Sequence, residues 1–151
     1  MKTYGPQRTK DSQQPLHVEG FEFPLTQEYD IERLEVAISD DAIRDQYIRY
    51  LAAKKPPKKD LVECFSQFFA DSAMVNFNWN GFSNHRFPKK AMRSYGVFTY
   101  CMLKAWSAEG LTENLLQIKL KRTVEKINNR RNVQHSKRRR KARLLNAEKN
   151  K

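Results

Sequence analysis

The strongest constraint on this chain is how its charge is partitioned. Its formal charge of +12 lies entirely in the last 33 of 151 residues: residues 1–118 hold 15 Lys or Arg against 15 Asp or Glu, and residues 119–151 hold 14 against 2. A segment so charged cannot bury itself, because removing unpaired charges from water costs too much. The core must come mainly from the neutral body, leaving the tail to meet solvent or a polyanion.

With 39% hydrophobic and 11% aromatic residues but a mean hydropathy of -0.83, the chain has material for one modest core with polar ends. The organisation expected is a disordered N-terminal arm over residues 1–20, a helical domain over 21–128 and a basic tail over 129–151. No apolar stretch opens the chain as a signal sequence would, and none reaches the roughly 20 residues that span a bilayer. These absences predict a soluble intracellular protein. Cys64 and Cys101 both sit inside apolar runs, and their spacing suggests no disulfide framework, so both are expected to behave as small buried hydrophobes.

The body reads as all-α, a small domain of about five or six helices followed by a helical or disordered basic tail. Thr26 is placed to cap a helix carrying Ile31, Leu34 and Ile38, with Glu28 and Asp30 in its first turn. Asp40-Asp41 offers the next cap, before Ile43, Tyr47, Tyr50 and Leu51. Lys54 to Lys59, broken by Pro56-Pro57, cannot continue that helix. Asp60 caps a third, in which Leu61, Phe65, Phe68 and Phe69 share a face, with Ala73, Met74 and Phe77 beyond a break. Asn80-Gly81 signals a turn in an aromatic-rich loop that runs to Phe87-Pro88. Lys89 to Ser94 make a short basic turn, Val97, Phe98, Cys101, Met102 and Ala105 an apolar stripe, and Thr112 the cap of a last helix bearing Leu116, Leu120, Val124 and Ile127.

The order of these features resembles a domain-of-unknown-function family of insect and other animal proteins, sometimes joined to DNA-binding or transposon-derived domains. The resemblance rests on Phe23-Pro24-Leu25-Thr26, on Asp40-Asp41 through Tyr50-Leu51, on Asn78-Trp79-Asn80-Gly81 and on Pro88-Lys89-Lys90-Ala91-Met92, and it covers roughly residues 23–130. The chain departs from the pattern where Lys54 to Lys59 replaces a glycine-containing turn. The resemblance implies a helical module in a nuclear or chromosomal setting and brings no catalytic residues.

Chemistry finds little to work with. His17, His85 and His135 lie in separate segments, neither cysteine has a second ligand at metal spacing, and five glycines form no phosphate-binding loop. No catalytic residue, no metal and no cofactor is expected, and the chain reads as a non-enzyme. Binding residues are plentiful. Arg130, Arg131, Lys137, Arg138, Arg139, Arg140, Lys141 and Arg143 have the density that phosphate backbones and nuclear import receptors select. Arg86, Lys89, Lys90 and Arg93, beside Trp79 and Phe82, form a secondary basic patch of the kind single-strand binders use. Against them stand residues 19–45, with nine acidic and two basic side chains.

The expected function is therefore nuclear, nucleic-acid- or chromatin-associated binding with affinity supplied by the tail, and DNA favoured over RNA. The alternative is a protein-interaction module whose tail is only a nuclear localisation signal. An import receptor, a protein partner and a second copy of the chain are the other partners expected, and a membrane is not.

Overall fold

A computed structural model describes residues 16–82 and 88–149. Among them are five α-helices, four short 3-10 turns and one two-stranded ladder, so the domain is small and mostly helical. The helices are α1 (Glu28–Ala37), α2 (Asp41–Lys54), α3 (Leu61–Cys64), α4 (Tyr100–Trp106) and α5 (Glu113–Lys149). Residues 1–15 of the expected N-terminal arm lie outside the described residues. Within the rest of it, Val18 is buried and its carbonyl accepts a hydrogen bond from the Phe21 amide at 3.0 Å, which carries the packed body back to Val18.

Three of the four expected caps form as read. The Asp40 carboxylate accepts from the Ala42 amide at 2.8 Å, Asp60 from Val62 at 3.3 Å, and the Thr112 hydroxyl from Leu115 at 3.2 Å, each satisfying a donor that the first helical turn leaves open. Thr26 does not cap α1. The helix opens one residue later, with Gln27 at the cap position and no side-chain bond there, while the Thr26 carbonyl accepts from the Ser72 hydroxyl at 2.7 Å.

The apolar stripes meet in one core. Ile31 and Leu34 of α1, Tyr47 and Leu51 of α2, Leu61 and Cys64 of α3, Cys101, Met102 and Trp106 of α4, and Leu116, Leu120, Val124 and Ile127 of α5 are all buried. Phe65, Phe69, Phe77 and Phe98 fill its centre, with successive ring centroids 5.0 to 6.2 Å apart. The polar ends of the large aromatics find partners. Tyr47 donates to the Val97 carbonyl at 2.9 Å and the Trp106 indole to the Leu51 carbonyl at 3.1 Å.

The ladder is parallel, β1 (Phe77–Asn78) against β2 (Lys90–Ala91), and each strand is only two residues long, too short to leave an alternating pattern in the sequence. Between them Gly81 has a φ of +82°, and a Cβ placed there would lie 3.1 Å from that of Ala91, so both conformation and space require glycine. Asn78 holds this turn, accepting from the Gly81 amide and donating to the Phe82 carbonyl.

Candidate nucleic-acid interface

Helix α5 has two halves of different character. From Glu113 to Ile127 it packs on α3, α4 and β1, burying Leu116, Leu120, Thr123, Val124 and Ile127. From 128 to 148 Arg131 is half-buried and every other residue is exposed. At about 1.5 Å per residue, the segment 128–149 projects about 33 Å beyond the core. Lysine and arginine are good helix formers, and cations near a helix C-terminus complement its dipole, so the local sequence favours helix although like charges crowd it.

Successive residues on a helix are about 100° apart, so Lys137 to Lys141, with Arg143, place cations all round the projecting rod. Among the described residues, no ion pair engages Arg131, Lys137, Arg138, Arg139, Arg140, Lys141 or Arg143. Arg130 is different. It grips Asp71 with two parallel hydrogen bonds, Nε to Oδ2 at 2.8 Å and a terminal nitrogen to Oδ1 at 2.7 Å, pinning the root of the rod to the 3-10 turn Asp71–Met74.

The secondary basic residues are placed differently from one another. Arg86 lies outside the described residues, as do His85 and Phe87. Arg93 is exposed. Lys89 donates to the Val75 carbonyl at 2.5 Å, and burial, then the nearby Arg131, hold its ammonium below the usual lysine range. Lys90 sits between Glu28 and Glu32 at 2.7 and 2.6 Å, and their carboxylates raise its pKa. Hydrogen bonds from Lys90 and Asn76 hold Glu28 below the ordinary glutamate range. At Glu32 burial opposes this, but the bonds from Lys90 and Tyr95 prevail. Trp79 packs partly against the core, whereas Phe82 is 76% exposed and borders a shallow cavity with Lys121 of α5.

The acidic stretch is therefore only partly a solvent face. Glu28 and Glu32 hold β2, and Glu35 accepts from the Gly96 and Val97 amides at 3.0 and 3.1 Å. With Tyr95 donating its hydroxyl to Glu32 at 2.6 Å and Tyr47 donating to the Val97 carbonyl, side chains of α1 and α2 meet the Gly96 and Val97 amides, the Val97 carbonyl and the Tyr95 hydroxyl. An unladdered backbone has to be satisfied by side chains somewhere, and a helix rich in glutamate does it here. Nothing in the local sequence signals these contacts, which join residues about 60 positions apart.

Cys64 and Cys101 are buried free thiols. Burial, and then the Glu35 carboxylate, push the Cys101 thiol up to about 12, which disfavours its nucleophilic form. Among the described residues no group of His, Cys, Asp and Glu is arranged to hold a metal ion, and no helix is long and apolar enough to cross a membrane.

No curated protein and no solved structure matches the chain. One family does match, over residues 17–105, more than half of the chain, beginning beside the buried Val18 and ending at Ala105 of α4, before α5. The chain belongs to the family described as Domain of unknown function (DUF4806).

Proposed function

We propose that the protein is a non-catalytic, nuclear, chromatin-associated binder of nucleic acid, in which the helical body anchors a basic rod that lies along the phosphate backbone. The observation that carries this reading is the second half of α5: a projecting helix with cations on all sides that, Arg130 apart, have no ion-pair partner among the described residues, rooted in the core by Ile127 and clamped by Arg130 to Asp71. A helix about 10 to 12 Å across with its side chains fits the B-DNA major groove, about 12 Å wide. The deep, narrow major groove of A-form RNA does not admit one, which favours DNA. The length of about 33 Å corresponds to about one turn of B-DNA. Contacts of this kind act through phosphates, so they give affinity with little sequence preference.

The test is fluorescence anisotropy with a labelled duplex, comparing the parent chain with a variant carrying Ala at Lys137, Arg138, Arg139, Arg140 and Lys141. The reading expects binding to fall by at least about a hundredfold at 0.1 M salt, each lost phosphate contact there being worth about tenfold. Unchanged binding refutes it. The second reading, a protein-interaction body whose tail is only an import address, is favoured by one observation: the family match ends before the rod begins. Under that reading the body alone retains its partners while the tail alone carries a fused reporter into the nucleus.

A further inference from the structure

The buried stripe of α5 does not stop at Ile127; it changes chemistry. Leu116, Leu120, Val124 and Ile127 follow one another at spacings of four, four and three, and the same face continues at Arg131, Gln134 and Arg138. Where the apolar part of the face meets the core, the basic part overhangs its edge. Between that overhang and the 3-10 turn Asp71–Met74 lies a cavity of about 330 Å³, lined on the rod side by Arg130, Arg131, Gln134, His135 and Arg138.

The charge balance of this notch is uneven. Asp71 is its one lining carboxylate, and Arg130 already holds both of that group's oxygens. Arg131 and Arg138 are left without a carboxylate partner among the described residues, and Lys89 stands close enough to Arg131 to feel its charge. Cations gathered in a concavity with no compensating anion raise the local positive potential more than the same charges on a convex rod. Two guanidinium groups on one helical face, about two turns apart, can converge on the oxygens of a phosphate, which arginine binds through two parallel N–H donors.

We infer that this notch seats one backbone phosphate of the bound nucleic acid, held by Arg131 and Arg138 with Gln134 and His135 beside them. The inference rests on the nucleic-acid reading above and deepens it: one phosphate is fixed at the root of the rod, which sets where the strand meets the body, and the cations beyond add unplaced electrostatic affinity.

The experiment compares two charge-matched double variants in full-length protein binding a labelled duplex at 0.1 M salt. Arg131→Ala with Arg138→Ala empties the notch. Arg140→Ala with Arg143→Ala removes two cations from the side of the rod facing away from the notch. The notch pair is expected to lose about tenfold more affinity than the off-face pair, with both variants keeping the parent's circular dichroism. Equal losses overturn the inference and leave the rod as a uniform cationic surface. No duplex binding by the parent chain overturns the inference together with the reading it rests on. As a second measurement, the arginine side-chain N–H resonances of Arg131 and Arg138 are followed as duplex or inorganic phosphate is added. Saturable shifts of these two groups with duplex, at concentrations where inorganic phosphate moves neither, support the seat; saturation by micromolar inorganic phosphate assigns the notch to the free anion and overturns it.

Discussion

Replacing Glu35 isolates the contact by which the acidic helix serves the fold. Its carboxylate receives two backbone amides, Gly96 at 3.0 Å and Val97 at 3.1 Å, from a half-buried position. A hydrogen bond to a charged group contributes about 1.5 to 3 kcal/mol, so two give an upper range of about 3 to 6 kcal/mol. Water reaches part of this site and can replace part of what is lost, which brings the expected cost of Glu35→Ala to about 3 kcal/mol. For a chain of this size each kcal/mol moves the midpoint by about 2 to 4 °C, so the variant should melt about 6 to 12 °C below the parent. Glu35→Gln keeps one oxygen acceptor but turns an amide donor toward the second N–H, so it should cost roughly half as much. Urea unfolding monitored by circular dichroism measures both, and an unchanged m-value keeps the comparison to stability. An Ala variant within about 0.5 kcal/mol of the parent, or a Gln variant as damaging as the Ala variant, refutes the reasoning.

The pairing of Lys90 with Glu28 and Glu32 predicts a pH dependence whose sign follows from the shifts. The two carboxylates are depressed in the folded chain, so their stabilisation is full above the ordinary glutamate pKa of about 4.3 and is lost as pH falls through their lower folded values. Lys90 is raised, so its share is full below about pH 10.4 and is lost as pH rises toward its folded value. Thermal melts from pH 6 to pH 3 should therefore show a decline that Lys90→Met makes shallower, and an equally steep decline in the variant would count against the pairing. Leu120 is fully buried on the anchored half of α5, and Leu120→Ala should cost about 3 to 5 kcal/mol in urea unfolding; a loss below about 1 kcal/mol would mean that this half does not complete the core.

Local signals carried most of the architecture. The caps at Asp40, Asp60 and Thr112 and the four-residue rhythm of Leu116, Leu120 and Val124 were legible because each depends on residues within one or two turns. Thr26 misled for the same reason: a good capping residue stands one position before the actual cap, Gln27, and the tertiary bond from Ser72 occupies its carbonyl. The inward turn of Glu28, Glu32 and Glu35 was not legible, since a run of acids on a helix has the pattern of a solvated face until the chain 60 residues later is folded against it. The candidate interface was visible only as charge. Its cations could be named from the sequence, but the sequence did not distinguish Arg130, committed to Asp71, from Arg131 and Arg138, which overhang the notch. That distinction depends on where α5 leaves the core, and Ile127 is the last residue of its buried stripe.

The central claim, that the projecting half of α5 holds nucleic acid through its phosphates, is tested most directly by the salt dependence of duplex binding. The full chain should be compared with a version ending at Asn129, which keeps Leu120, Val124 and Ile127 in the core. With seven cations from Arg131 to Arg143 that have no ion-pair partner among the described residues, of which about five to seven reach phosphates, log K should fall with log salt at a slope of about -5 to -6, roughly a thousandfold or more between 50 and 200 mM. The shortened chain should bind weakly, with a slope near zero. Equal affinities and equal slopes for the two chains, or no binding by either, would contradict the account.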